Sequence, residues 1–246
     1  MYLKEGGNIF KDEDGNIVTQ RINRADVDPT LKWLENITGL PLVDAKLGST
    51  GLKTTSGDLD IAVNQQEVTK QELVDKLTAW CVQNNLEPKQ WIVKSGISVH
   101  FKTPIDGDAE NGFVQTDLMF GDPAWMKFSL RGSESSQFKG VHKHLLLASI
   151  AKAKGMKWSA NKGLLNRKDN SMLSNNPADI AKILLGNNGQ PDDLESVETI
   201  WTKIKDLPDQ QELTADARAA FERDNLSLPE MQDILKLRKL AGYEMV

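Results

Sequence analysis

Apolar side chains recur at helical spacing in the first well-marked segment of the chain, VDPTLKWLENITGL. Asp28 is a favourable N-cap, the proline after it fits the first helical turn, and Gly39 can end the helix in a left-handed conformation. The positions predicted to line one face are Leu31, Leu34 and Ile37. The pattern therefore predicts an amphipathic helix between Asp28 and Gly39.

The pattern then changes to the shorter period of β-strands. The run DLDIAV at 58–63 predicts a buried strand, and Thr69 with Glu72 forms a capping box ahead of a second helix. Two more strand-like runs follow, QWIVKSGISVHFK and GFVQTDLMFG, and the Asp-Gly and Asn-Gly pairs between them are turn sequences. These elements give the N-terminal half an α+β character.

Helical periodicity dominates the second half of the chain. It appears in VHKHLLLASIAKAKG, in the segment that Asn176 and the following proline open, in VETIWTKIKDL, and in a last helix capped by Ser227 and Glu230. The predicted fold class is therefore α+β, followed by a mostly helical C-terminal region. We expect two domains, 1–135 and 136–246.

Composition and charge exclude several classes of protein. The 246 residues carry a formal net charge of −5, and they contain no apolar run of the roughly 18 residues that a membrane span requires. The first residues lack the apolar segment of a signal peptide. Cys81 is the single cysteine, which excludes an internal disulfide framework and a multi-cysteine zinc site. We therefore expect a cytoplasmic protein without a membrane partner.

The stretch with the clearest chemical pattern is LGSTGLKTTSGDLDIAV, residues 47–63. Asp58 and Asp60 flank one apolar residue on the predicted strand, so both carboxylates are expected on the same face. Two neighbouring carboxylates repel each other and are costly to remove from water unless a cation neutralises them. Magnesium suits such a pair because it prefers oxygen ligands and is commonly held by one or two carboxylates together with substrate phosphates.

The loop before this strand has the composition of a phosphate cradle. Gly48 permits a tight turn, Ser49 adds a hydroxyl donor, and Lys53 can supply a positive charge to a triphosphate. A Walker-type loop is the competing interpretation of GSTGLKT. That interpretation fails because Leu52 stands where the motif requires a glycine before the lysine, and because no helical pattern follows.

A third acidic residue, Asp117, lies on the run FVQTDLMF. Gln115, Asp117 and Met119 share one face of this predicted strand. If the strand lies beside that of Asp58, three carboxylates converge, and two metal ions held by three carboxylates suit in-line nucleotidyl transfer. His100 could approach the same site if its own strand is central, and a structural, hydrogen-bonded histidine is the alternative interpretation.

Together, a Gly-Ser pair, a short loop, an Asp-x-Asp strand and a later single Asp on a strand resemble the polymerase-beta-type nucleotidyltransferase superfamily. The similarity covers residues 47–63 and 113–120, with a helix at 69–84 between them. It implies a small mixed, palm-like sheet flanked by helices and two Mg²⁺ ions that Mn²⁺ can replace. It also implies transfer of a nucleoside monophosphate from a nucleoside triphosphate to a hydroxyl group.

The same resemblance implies a role for each residue of the motif. Gly48 and Ser49 would contact the triphosphate, with Lys53 in the same loop. The implied catalytic metal ligands are Asp58, Asp60 and Asp117, of which Asp117 would stand nearest the attacking hydroxyl.

A second resemblance extends to FSLRGSES and KGMKWSANKGLL, which are similar to segments of the family X DNA polymerases. In those proteins a Gly-Ser turn after the third aspartate shapes the nucleotide pocket. The similarity implies that Phe128, Gly132 and Ser133 lie near the base and the sugar. The N-terminal half also resembles nucleotidyltransferases of large tailed phages.

Charge is unevenly distributed along the second half. Residues 139–168 contain eight Lys or Arg and no Asp or Glu, whereas residues 191–246 contain thirteen Asp or Glu against seven Lys or Arg. The basic run predicts a track for a phosphate backbone, so an RNA or DNA 3′ end is the expected acceptor. The candidate contacts are Lys139, Lys143, Lys152, Lys154 and Lys157. The same run also fits a helix whose lysines lie in water beside an apolar face.

These patterns favour a metal-dependent nucleotidyltransferase that extends a nucleic-acid 3′-hydroxyl and releases pyrophosphate. Two alternatives stay open: transfer to a hydroxyl of a small molecule or protein, and a non-catalytic module that binds nucleic acid or protein. Polyanion binding that weakens steeply with salt would favour the first function over the second. The third would lack magnesium-dependent nucleotide binding.

Overall fold

The computed structural model describes residues 8–133, 136, 138, 140–224, 226 and 228. Within these residues the chain forms seven α-helices and three β-sheets, in agreement with the predicted α+β class. The chain divides into two compact units, 1–131 and 132–246. None of the described helices is long and apolar enough to cross a membrane.

The first unit contains a two-stranded sheet and a four-stranded mixed sheet. The short strands β1 (Ile22–Asn23) and β2 (Thr55–Ser56) pair with each other. The larger sheet contains, in chain order, β3 (Asp58–Asn64), β4 (Ile92–Ser95), β5 (Ser98–Pro104) and β6 (Phe113–Gly121). Its spatial order is β3-β6-β5-β4, in which β3 and β6 are parallel and the other neighbours are antiparallel. The strands predicted at 58–63, in QWIVKSGISVHFK and in GFVQTDLMFG are therefore confirmed.

The helix α1 (Arg24–Thr38) begins earlier than its sequence predicts. Asn23, rather than Asp28, occupies the N-cap position, so the predicted start is wrong. The backbone N–H of Arg24 donates to the carbonyl of Thr54 at 2.9 Å, and this tertiary contact accompanies the earlier start. Gly39 ends the helix with a φ of 71°, as predicted.

The helix α2 (Lys70–Gln83) begins at the predicted capping box of Thr69 and Glu72. Together with α1 it shares a hydrophobic core with one face of the four-stranded sheet. Fully burying one such aliphatic side chain contributes about 1.5–3 kcal/mol. The core includes Leu31, Leu34, Leu59, Ile61, Leu73, Leu77, Val99, Phe101, Val114 and Leu118. Because side chains alternate along a strand, the residues between these core positions occupy the opposite face of the sheet.

A short helix, α3 (Pro123–Ser129), follows β6 and was not predicted from the sequence. Asp122 caps it by accepting a hydrogen bond from the backbone N–H of Trp125 at 3.0 Å. Met126 of this helix packs with Leu47 and Ala62 in a small apolar cluster.

The second unit combines helices with a small antiparallel sheet. Its elements are, in chain order, α4 (Gly140–Ala153), β7 (Met156–Ser159), β8 (Gly163–Asn166), β9 (Met172–Ser174), α5 (Pro177–Leu185), α6 (Val197–Ile204) and α7 (Gln210–Arg223). The predictions of α4, α5 and α6 are confirmed, whereas the sheet and α7 were missed. The predicted helix capped by Ser227 and Glu230 lies outside the described residues.

Candidate metal and nucleotide site

Three carboxylates meet on the sheet face opposite α1 and α2. The parallel pairing of β3 with β6 sets Asp60 directly opposite Asp117. Asp58 lies two residues before Asp60, so it occupies the same face of β3. One oxygen from each of the three aspartates lies within 4.8 Å of the other two. The sequence analysis expected the three carboxylates to converge if the strands of Asp58 and Asp117 were neighbours, and the structure shows that β3 and β6 are neighbours.

The cluster is electrostatically unfavourable without a cation. Asp117 is 8 % exposed, and the other two aspartates are partly buried. Burial, together with the negative charge of Asp117, raises the pKa of Asp58. Burial, together with the charges of Asp58 and Asp117, raises the pKa of Asp60 to about 7. A cation held among the three carboxylates would offset this repulsion and favour their ionised forms.

The donor set fits a hard divalent ion. All three groups are carboxylates, the ligand type that suits Mg²⁺ and Mn²⁺, and they lie on two neighbouring strands of one sheet. The described residues therefore include a cluster that could hold a metal ion, formed by Asp58, Asp60 and Asp117.

Asp117 is held in place by two hydrogen-bond donors. His100, its register neighbour on β5, contacts Oδ1 of Asp117 through Nδ1 at 2.7 Å. The Nε2 amide of Gln115 donates to the same oxygen at 2.9 Å. The backbone N–H of Ile9 donates to Oε1 of Gln115 at 2.9 Å. The sequence analysis predicted that Gln115 shares a strand face with Asp117 but gave Gln115 no role. For His100 it left two interpretations open.

The loop that precedes β3 is hydrogen-bonded to both backbone groups of Asp60. The backbone N–H of Leu47 donates to the carbonyl of Asp60 at 2.8 Å, and the N–H of Asp60 donates to Oγ1 of Thr50 at 3.0 Å. Gly48 has a φ of 57°, which favours glycine, and a Cβ built there would lie 3.8 Å from Oδ2 of Asp60. The Gly-Ser turn therefore lies next to the carboxylate cluster.

Unpaired donors of this loop suit a phosphate group. No described residue accepts a hydrogen bond from the backbone N–H of Gly48 or of Ser49. The side chains of Ser49 and Lys53 are exposed. Two successive amides and a hydroxyl in the turn next to the cluster, with an ammonium group later in the same loop, are groups of the kind that bind phosphate oxygens.

Arg21 is a further cation that the sequence analysis missed. Its guanidinium donates to Oγ1 of Thr55 at 3.0 Å and to the carbonyl of Thr55 at 3.1 Å. Its positive charge partly offsets the rise in the pKa of Asp58 that burial and Asp117 cause. Arg21 reaches this position because β1 pairs with β2, a contact between two-residue strands that no sequence pattern indicates.

The remaining residues predicted for the nucleotide pocket are divided between the two units. Phe128 is a partly buried residue of α3, and its ring centroid lies 5.6 Å from that of Trp125. Gly132 and Ser133 begin the second unit. That these three residues lie near the base and the sugar of the nucleotide stays a prediction.

Of the lysines predicted to contact a phosphate backbone, Lys143 is buried and Lys152 is paired with a carboxylate of the protein. Lys143 is only 4 % exposed, because α4 is buried around most of its circumference, so it offers no surface to a phosphate backbone. Lys152 is exposed and forms an ion pair with Asp216 of α7. Lys139 lies outside the described residues.

Basic side chains also lie at one end of the small sheet of the second unit. Lys154 and Lys157 are exposed, as predicted, and Lys157 donates to Oδ1 of Asn170 at 2.8 Å. The pairing of Met156 with Asn166 brings this end of β7 next to the turn after β8. That turn carries two more exposed cations, Arg167 and Lys168. No described carboxylate forms an ion pair with Lys154, Arg167 or Lys168.

His144 and Trp158 are hydrogen-bonded to each other within the second unit. The indole N–H of Trp158 donates to Nδ1 of His144 at 3.0 Å, and burial lowers the pKa of His144 to about 3. The imidazole is therefore neutral at physiological pH. Cys81 is buried in the core of the first unit.

A scan against protein-family models gives no match for this chain, and a search of curated proteins gives none either. The geometry of the carboxylate cluster and of the adjoining Gly48 loop is therefore the basis for a functional proposal.

Proposed function

We propose that this chain is a metal-dependent nucleotidyltransferase with a palm-like core of the polymerase-beta type. The observation that carries the proposal is the convergence of Asp58, Asp60 and Asp117 beside the Gly48 turn. A cation site and a phosphate site adjoin each other here, and transfer from a nucleoside triphosphate requires both.

The proposed reaction moves a nucleoside monophosphate from a ribo- or deoxyribonucleoside triphosphate to the 3′-hydroxyl of a nucleic acid. The hydroxyl oxygen forms a bond to the α-phosphorus while the bond from that phosphorus to the bridging oxygen breaks, and pyrophosphate leaves. The carboxylate of Asp117 accepts the hydroxyl proton. When bound, two Mg²⁺ or Mn²⁺ ions neutralise charge on the phosphate oxygens and lower the pKa of the attacking hydroxyl.

Different residues around the cluster bind the cations and the phosphates. Asp58 and Asp60 hold the cations on β3 and face Asp117 across the parallel strand pair. The exposed groups of Ser49, Lys53 and Arg21 bind the β- and γ-phosphates, since Ser49 and Lys53 belong to the loop that precedes β3 and the positive charge of Arg21 acts on Asp58.

A nucleic-acid acceptor is supported by the basic end of the small sheet in the second unit. Lys154, Lys157, Arg167 and Lys168 present four exposed cations there, and Asp169, an acid in the same turn, accepts two hydrogen bonds from Ser171. A polyanion binds to such a surface by displacing counterions, so its affinity falls steeply as salt increases.

The test is incubation of the purified chain with each labelled nucleoside triphosphate, Mg²⁺ and a panel of RNA and DNA primers. We expect label to be added to primers, and Asp58→Asn to abolish addition without unfolding the protein. Asp75→Asn removes a carboxylate from an exposed position of α2 and should leave addition unchanged. Label on a small molecule or a protein would change the proposed acceptor. Full activity in Asp58→Asn, or no nucleotide binding with Mg²⁺, would overturn the proposal.

A further inference from the structure

We propose that His100 and Gln115 are positioning residues that fix the orientation of Asp117 and reserve its Oδ2 atom for the metal ion and the acceptor hydroxyl. This inference rests on the proposed function and adds two residues to its site. It draws on a hydrogen-bond network that joins Asp117 to the neighbouring strand and to the N-terminal segment.

The first donor is His100, which lies directly opposite Asp117 in the register of β5 and β6. The His100 side chain is 14 % exposed and that of Asp117 is 12 % exposed, so water competes little for their 2.7 Å contact. An ionised carboxylate can only accept hydrogen bonds, and Nδ1 of His100 must therefore carry the proton that it donates to Oδ1.

The second donor is Gln115, which is 1 % exposed and lies two residues before Asp117. The amide of Gln115 is held in one orientation, because its Oε1 atom accepts the hydrogen bond from the backbone N–H of Ile9. That orientation turns Nε2 towards Asp117, where it donates to Oδ1 at 2.9 Å. Rotating the amide by half a turn would break both hydrogen bonds at once.

The two donors converge on one oxygen and leave the other available. Oδ1 of Asp117 receives hydrogen bonds from His100 and Gln115, whereas no described residue donates to Oδ2. A carboxylate held in this way is restricted to one rotamer before a cation arrives, so binding does not have to order it. Partners that orient a ligating group in this manner typically change metal affinity about 10- to 100-fold when they are removed.

The chain also offers a matched control on the same two strands. Thr103 of β5 and Thr116 of β6 share a 2.7 Å hydrogen bond, and both are fully buried on the face that packs against α1 and α2. Thr103→Val therefore removes a cross-strand hydrogen bond of similar length without touching the carboxylate face. A general loosening of the sheet would appear in this variant as well.

The experiment measures Mn²⁺ affinity by electron paramagnetic resonance, together with kcat and KM for the nucleoside triphosphate, in five forms of the protein. His100→Leu and Gln115→Leu should each weaken Mn²⁺ binding about 10- to 100-fold and lower kcat, with KM changed less than about threefold. His100→Asn should retain most of the Mn²⁺ affinity and most of kcat that His100→Leu loses, because the Nδ2 amide of asparagine can occupy the position of the histidine Nδ1. Thr103→Val and the unmodified chain should behave alike.

The possible results separate the two proposals. Wild-type Mn²⁺ affinity and kcat in His100→Leu and Gln115→Leu would overturn the positioning role while leaving the nucleotidyltransferase proposal standing. Equal losses in His100→Leu, His100→Asn and Thr103→Val would also overturn it, since they would indicate a sheet defect. An unmodified chain that binds no Mn²⁺ and transfers no nucleotide would overturn the proposed function, and the positioning role with it. Gln115→Leu, on the other strand, decides the matter should His100→Leu fail to fold.

Discussion

Replacing Asp60 with asparagine should stabilise the metal-free protein, although it removes a proposed catalytic group. The pKa of Asp60 rises from 3.8 to about 7 on folding, because burial and the charges of Asp58 and Asp117 disfavour its ionised form. Between these two pH values the folded state holds a proton that the unfolded state has released. Stability therefore falls as pH rises through this window, and the full cost is present above pH 7.

The size of the effect follows from the same pKa values. A difference between 3.8 and about 7 corresponds to about 4 kcal/mol of unfavourable free energy at pH 8. The asparagine amide and the neutral carboxyl group are polar groups of similar size, so their desolvation costs largely cancel. We therefore expect Asp60→Asn to raise the free energy of unfolding by about 4 kcal/mol at pH 8 without metal, and by much less at pH 4.

Urea denaturation at several pH values between 4 and 8, in the presence of a chelator, measures this directly. Asp75→Asn, at an exposed position of α2, is the control and should show no comparable pH-dependent gain. Adding Mg²⁺ at pH 8 should stabilise the unmodified protein, by about 2.7 kcal/mol at one hundred times its Kd, and should stabilise Asp60→Asn much less. Lower stability of Asp60→Asn at pH 8, or a gain that is constant from pH 4 to 8, would refute the reasoning.

Three further predictions concern binding of nucleotide and nucleic acid. Gly48→Ala should lower stability by about 1 kcal/mol in urea denaturation and raise KM for the triphosphate severalfold, because its φ of 57° is unfavourable for alanine although a Cβ there meets only ordinary contacts. Arg21→Gln should raise KM about tenfold in steady-state kinetics and leave kcat nearly unchanged, as expected for loss of one charge-assisted phosphate contact. Replacing Lys154 and Lys168 together by glutamate should reduce the salt slope of primer binding by about 2, measured by fluorescence anisotropy, whereas an unchanged slope would indicate that this surface does not bind the primer.

The strands that carry the three aspartates could be predicted because their acidic residues lie within apolar runs of β-strand periodicity. Asp58 and Asp60 interrupt an otherwise apolar strand at a spacing of two, and Asp117 does the same in β6, so each carboxylate could be assigned to a strand face from the sequence alone. The pairing of Asp60 with Asp117 could not be assigned, because register between distant parallel strands depends on the whole sheet.

The residues that the sequence missed reach the site through tertiary contacts. Arg21 depends on a pairing of two-residue strands, and the amide of Gln115 is oriented by the backbone N–H of Ile9, 106 residues away in sequence. Lys143 was wrongly assigned to the surface because the apolar pattern of α4 did not reveal that the helix is buried around most of its circumference. Local periodicity carries none of this information.

The most direct test of the central claim is a crystal of the chain grown with Mn²⁺ and a non-hydrolysable nucleoside triphosphate analogue. Anomalous difference density should show Mn²⁺ within ligand distance of Asp58, Asp60 and Asp117, with the phosphates against the turn of Gly48 and Ser49. Density for the ion elsewhere, or its absence from this cluster while the analogue is bound, would contradict the account.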